Sequence, residues 1–300
     1  MHLAAQVLAP VLFILALGFL LERTRPIEPR TLSQVSIYVL TPCLVFYTVA
    51  TTRITTQEFL KIGAFLVALT ACLWVITKAV ARARGYSVSR ESVLMLCTLF
   101  MNAGNYGIPV ALYAFGEGGV DRAVVWVLLQ NVLFTSLAVF YAARDTLGSR
   151  GAFNTVFKMP QVYTALAAWA FRLLDVPVPP GMLEPIRALG LAMIPIAQLL
   201  LGVQLSQTVS TITSDTRRIG LACLLRLVVS PLLAFPLAYV LGIHGLTRQV
   251  VILLSGMPTA VNTSILAIEF NAEPRYVCAV VFISTMLSFL TLMVLLTLVK

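Results

Sequence analysis

Long apolar runs separated by short polar stretches organise the whole chain. The pattern predicts membrane spans near residues 3–21, 32–50, 59–80, 91–115, 122–142, 159–174, 184–204, 218–242, 248–269 and 275–299. Each comes close to the about 20 apolar residues that a helix needs to cross the hydrocarbon core. The sixth run is the shortest, and Pro177, Pro179, Pro180 and Gly181 after it predict a non-helical loop. Composition agrees with this pattern. The 300 residues are 59% hydrophobic and 11% charged, against about 25% charged in soluble domains. So few charges could not cover a water-exposed surface, so the expected solvent is lipid. The fold class is an all-α integral membrane protein of ten transmembrane helices.

The net charge of +9 comes from 21 Lys and Arg against 12 Asp and Glu. The basic residues sit in short loops between apolar runs, so they read as topology signals and not as a nucleic-acid surface. Thirteen of the 21, from Arg23, Arg25 and Arg30 to Arg217, Arg218 and Arg275, fall on one side of the membrane. The positive-inside rule makes that side cytoplasmic and puts both termini outside, in a cell inner (plasma) membrane. Residues 1–21 lack a basic leader and are followed by Glu22-Arg-Thr-Arg25, so they read as a first span and not as a cleavable signal. Cys43, Cys72, Cys97, Cys223 and Cys278 lie in apolar segments without a CxxC pair and read as small buried hydrophobes. His2 and His244 sit at segment ends, and no metal-ligand spacing occurs. No metal or other cofactor is expected. An intramembrane enzyme is disfavoured too: no GxSxG, no mid-span histidine and no paired intramembrane carboxylates occur.

The prolines carry an internal repeat. Pro10 and Pro160 open the first and sixth spans, and Pro26 and Pro177 close them. Pro42 and Pro195 interrupt the second and seventh, and Pro109 and Pro258 the fourth and ninth. The last pair shares a Gly-apolar-Pro core, Gly107-Ile-Pro109 and Gly256-Met-Pro258. Five spans per half give the second half opposite polarity, so the repeat is expected to be inverted. Residues 1–142 form the first half, 143–158 a cytoplasmic linker, and 159–300 the second. Inverted repeats with interrupted helices at matching places point to a transporter, with its binding site at the interruptions.

Those interruptions hold the candidate chemistry. The fourth span contains Asn102-Ala-Gly-Asn105-Tyr106-Gly107-Ile-Pro109, and the ninth contains Gly256-Met-Pro258-Thr259-Ala-Val-Asn262-Thr263. Proline removes a donor and clashes with the preceding turn, while glycine lets the chain leave helical geometry. Backbone groups released this way survive at membrane depth only when buried in protein or lining a wet cavity. The half-helix after each break presents unpaired N–H groups and a positive dipole end, which suits a carboxylate. Asn102, Asn105, Asn262 and Thr263 add neutral donors and acceptors.

The stretch Asn102–Pro109, continued by Val110-Ala-Leu-Tyr-Ala-Phe-Gly-Glu-Gly-Gly119, resembles the fourth-helix signature of the auxin efflux carrier family. Pro258–Asn262 is similar to its ninth-helix partner, and Ile194-Pro-Ile-Ala-Gln-Leu-Leu-Leu-Gly202 to its seventh-helix pattern. The wider bile-acid-transporter-like superfamily shares this architecture. The resemblance implies two inverted five-helix repeats whose broken helices 4 and 9 cross. It also implies a scaffold of helices 1, 2, 6 and 7, a mobile transport domain of helices 3–5 and 8–10, and a homodimer through the scaffold. The short linker is similar to that of the compact bacterial members, which implies dicarboxylates such as malate or malonate more than auxin-like acids. Carried over by position, Asn105, Pro109, Pro258 and Asn262 mark the crossing, and Gln130-Asn131 a polar pair facing the site. Asn131 alone also fits helix–helix adhesion. Gln198, near the Pro195 break, could contact substrate across the domain interface or hold helices together.

Two charges carry alternative readings. Arg226 lies eight residues past Arg218, roughly 12 Å along a helix, so it could snorkel to the cytoplasmic interface. Otherwise it is a countercharge for the anion or a pin inside the transport domain. Glu269 ends the ninth span as a solvated interface residue or, if buried, a coupling group. An inside-negative potential drives anion exit by about 2.3 kcal/mol per charge per 100 mV, so an exporter needs no coupling ion. The expectation is an elevator-type secondary transporter of small organic anions, running as a uniporter or with weak proton coupling. The alternatives are a sodium-coupled, bile-acid-type symporter and a receptor built on a transporter fold.

Overall fold

The computed structural model describes residues 2–25, 27–51, 54–143, 163–164, 167–168, 170, 179–208 and 215–299. Helix α1 is His2–Thr24. Helix α2 (Pro29–Val35) runs through a π-helical turn, Ser36–Leu40, into α3 (Thr41–Thr51). Helix α4 is Thr56–Ala83, and α5 (Val88–Leu99) is followed by a break, a π turn at Ala103–Gly107 and α6 (Ile108–Phe115). Helix α7 (Glu117–Leu133) continues through a π turn, Phe134–Ala138, into α8 (Val139–Ala143). In the second half α9 is Pro180–Thr208, and α10 (Thr216–Leu224) joins α11 (Ser230–Val240) through a π turn at Leu225–Val229. Helix α12 (Gly245–Ser255) and α13 (Asn262–Glu269) flank the second break, and α14 is Pro274–Val299.

Four stretches, Thr56–Ala83, Gly181–Gln207, Thr216–Val240 and Pro274–Val299, are each long and apolar enough to cross a bilayer. Among the described residues, helices stand at nine of the ten span positions expected from the apolar runs. The sixth, 159–174, and the linker fall largely outside the described residues. The helix starts follow local chemistry. Thr55 and Glu58 form a capping box that opens α4, Ser87 caps α5 and Asp215 caps α10.

Small residues set the closest packing. Helix α1 lies along α9, and α9 also packs on α3. A β-carbon at Gly18 would strike the backbone of Leu199, and one at Gly202 the backbone of Leu15 and Phe19. Gly190 likewise sits against the backbone of Leu44. Such contacts let helix backbones approach where no hydrophobic force separates helix from lipid.

Two polar clasps join further helices, α4 with α7 and α12, and α10 with the start of α14. At one end, Arg122 of α7 meets Glu58 of α4 at 2.9 Å and donates to the Thr247 hydroxyl of α12 at 2.7 Å, and Thr247 donates to Glu58 at 2.6 Å. At the other end, Arg218 of α10 meets Glu273, just before α14, at 2.8 Å, with its guanidinium 4.3 Å from the Tyr276 ring centre. The charges are reversed between the two clasps. Glu58→Ala would leave Arg122, only 16% exposed, without its carboxylate. The expected cost is about 1.5 kcal/mol, the lower range for a charged hydrogen bond, readable as a lowered melting temperature in detergent.

Candidate functional site

The two breaks meet. Helix α5 ends because Phe100 is extended (φ −110°, ψ 120°), and α12 ends at Gly256. The unwound segments then pair antiparallel, with Met101 opposite Thr259. Asn102 N–H donates to Pro258 O at 2.8 Å, and Ala260 N–H donates to Phe100 O at 3.0 Å. Backbone groups released from both helices are thus satisfied by each other. The Thr259 hydroxyl donates to Cys97 O at 2.8 Å, and Ser284 of α14 accepts from Thr259 N–H at 3.2 Å. Gln130 of α7 donates to Met101 O at 2.7 Å while accepting from the Trp126 indole at 3.0 Å.

On one side of the crossing lies a cavity of about 150 Å³. Asn102, Gly104 and Asn105 line it from the first break, and Ala260, Val261 and Asn262 from the second. Val127, Gln130, Asn131 and Phe134 close it from α7 and the turn after it, and Thr41 of α3 and Met193 of α9 from the opposite side. Among the described residues its lining has no charged side chain. Asn262 is the first residue of α13, so the positive end of that half-helix reaches the cavity wall. Asn102 is 5% exposed, and its Nδ2 has no hydrogen-bond partner. An unpaired buried amide is costly, and Asn102 is one of the residues that line the cavity.

Of the residues expected to bind substrate, Asn102, Asn105, Asn131 and Asn262 line this cavity, and several others serve the crossing itself. Thr259 stitches the two breaks together as described. The Thr263 hydroxyl is occupied by Ala260 O at 2.6 Å. Tyr106 is fully buried against α14, where its hydroxyl accepts from Ser288 at 3.4 Å and its ring meets Phe289 edge-on. Gly107 lies against Leu254 and Met257, and Pro109 is the second residue of α6. Pro258 supplies the carbonyl that receives Asn102 N–H. Gln198 of α9 is fully buried, with neither amide atom partnered, outside the cavity lining. The side chain of Glu269 lies outside the described residues.

Arg226 corrects the snorkelling expectation. It is 0% exposed. Its guanidinium donates to Thr98 O at 2.7 Å, to Ser255 O and to the Ser230 hydroxyl, and it does not line the cavity. Length along the helix would let it reach the interface, but its face turns it inward. Thr41 and Met193 are among the lining residues that the sequence pattern does not single out, and Gln130 joins Asn131 in the lining. A polar residue beside Pro42 in an apolar span was the available signal for Thr41.

Comparison with known proteins fits this geometry. The chain matches the family described as membrane transport protein over residues 3–147 and 152–296. It is 28% identical over 295 residues to an uncharacterized transporter of Methanothermobacter thermautotrophicus, covering 96% of each chain. It is 27% identical over 279 residues to an uncharacterized transporter of Methanocaldococcus jannaschii, covering 88% of this chain and 87% of that one. With transporter-type broken helices crossing beside a polar cavity, and with the match running along nearly its whole length, the chain belongs to the auxin efflux carrier family of membrane transport proteins.

Proposed function

We propose that this multi-pass membrane transporter moves small organic anions, carboxylates of the size of malonate or malate, through the cavity at the crossing. The observation that carries the reading is the lining: carboxamides of Asn102, Asn105, Asn131 and Asn262 and a half-helix N-terminus, with no acidic side chain among the described residues that line the cavity. Such a wall offers donors to a carboxylate without a repelling charge. A cavity near 150 Å³ is about the size that holds benzene in an engineered protein core. It suits a ligand of a few heavy atoms better than a fused-ring acid.

The same reading makes the cycle an elevator. The cavity lies between the crossing and α7 on one side and α3 and α9 on the other. Glycine contacts bind α1, α3 and α9 into one body; one clasp ties α4, α7 and α12 and the other ties α10 to the start of α14, the helices assigned to a second body. The second body would slide along the first, carrying the crossing and its anion. Inverted five-helix repeats and termini outside the cytoplasm belong to this proposal, supported by the paired prolines and the basic loops.

Ligand-dependent thermal stabilisation tests the substrate class. Malonate and malate are expected to raise the melting temperature of the purified protein saturably, and an indole carboxylate to do so weakly or not at all. Asn105→Ala and Asn262→Ala should abolish the shift. A shift that survives in both variants, or one that follows cations or sugars instead, would remove the crossing or the anion from the account.

A further inference from the structure

Arg226 has no carboxylate partner among the described residues, although it is wholly buried. A charge in that position is expensive and needs compensation. The compensation is visible in what it touches. Thr98 is the penultimate residue of α5 and Ser255 the last residue of α12, so its two carbonyl partners close the C-terminal ends of the two broken half-helices. Each helix end carries about half a negative elementary charge. Two such ends converging are opposite in sign to one guanidinium and equal to it in amount. Ser230, one turn further along, accepts from the same guanidinium and donates to Ser255 O at 2.7 Å. Thr98 is further held by the Thr77 hydroxyl at 3.1 Å.

In transporters with discontinuous helices, C-terminal half-helix ends and unwound carbonyls are where a coupling Na⁺ or H⁺ is coordinated. We infer that the Arg226 guanidinium is a resident, covalently tethered cation that fills this cation seat, so that the crossing is assembled without an exchangeable ion. Its consequence is specific: the assembled crossing, and the transport cycle with it, is independent of Na⁺ because the seat is never vacant. Removing the guanidinium would turn the crossing into a site that depends on a cation from solution. The inference rests on the crossing geometry alone and stands apart from the identity of the transported anion.

The test uses the purified full chain in detergent, at constant ionic strength set with choline chloride. Melting temperature is read against added Na⁺, K⁺ or guanidinium at low millimolar, non-denaturing concentration. The wild type is expected to be flat in all three. Arg226→Ala is expected to melt lower and to regain several degrees, saturably, with guanidinium or Na⁺ but not with choline. No response of a monodisperse Arg226→Ala protein to any of the three ions would overturn the inference, as would a wild type stabilised by Na⁺. Folded yield supplies a second readout where Arg226→Ala does not accumulate. Arg226→Lys, which keeps a charge, is expected to give several-fold more monodisperse protein than the neutral, similarly long Arg226→Met. Equal yields of the two would also overturn it. All these readouts are independent of substrate, so a wrong anion class would leave them unchanged.

Discussion

Gly202→Leu is expected to prevent accumulation of folded protein, or to lower its stability by about 3 kcal/mol or more. The reason is what the new side chain would meet. A β-carbon there runs into the carbonyl of Leu15 and the amide of Phe19, which are backbone atoms of α1 and cannot rotate away. Overpacking against side chains costs about 1–3 kcal/mol. Against backbone the helices must separate, and the reciprocal contact of Gly18 with Leu199 would be lost with them. Gly181→Ala is the matched control, because nothing lies within 4 Å of a β-carbon there. Detergent melting curves of the two variants should differ sharply. A Gly202→Leu protein as stable as Gly181→Ala would show that α1 and α9 do not form the rigid body assigned to them.

Asn102→Leu is expected to separate stability from function. The Nδ2 group is buried without a hydrogen-bond partner among the described residues, so removing it takes away no hydrogen bond that the fold uses. The backbone bond to Pro258 O does not depend on the side chain. Melting temperature should therefore stay close to wild type. With an anion in the cavity the same Nδ2 becomes a donor to a charged acceptor, worth about 1.5–3 kcal/mol. Affinity for malonate should fall about 10- to 150-fold, by the rule of 1.4 kcal/mol per decade, read from transport or ligand-induced stabilisation. Unchanged affinity would mean that the cavity holds no carboxylate at Asn102.

The interruptions were legible in the sequence because their signals are strong: glycine and proline in the middle of apolar runs, flanked by carboxamides. Asn102, Asn105 and Asn262 were found that way, and all three line the cavity. What the sequence could not carry was direction around a helix axis. Thr259 and Thr263 have the same polar character as the cavity residues, yet their hydroxyls face Cys97 O and Ala260 O. Tyr106 sits next to Asn105, and one step of rotation turns it into α14. Distance along the helix leaves Arg226 within reach of the interface, whereas its burial follows from which face it occupies beside Ser230. The clasps were hidden for another reason. Arg122 and Arg218 have the loop placement of topology charges, and their partners Glu58 and Glu273 are distant in sequence. The apolar pattern located nine helical positions well, since length and hydropathy decide them, but it holds no information on the pairing of unwound segments.

The most direct test of the central claim is the current carried by purified protein in proteoliposomes with sodium-free buffer, on addition of malonate or malate. The account predicts an electrogenic current for small dicarboxylates that is lost in Asn105→Ala and Asn262→Ala. A current that requires sodium, or one that persists in both variants, would contradict it.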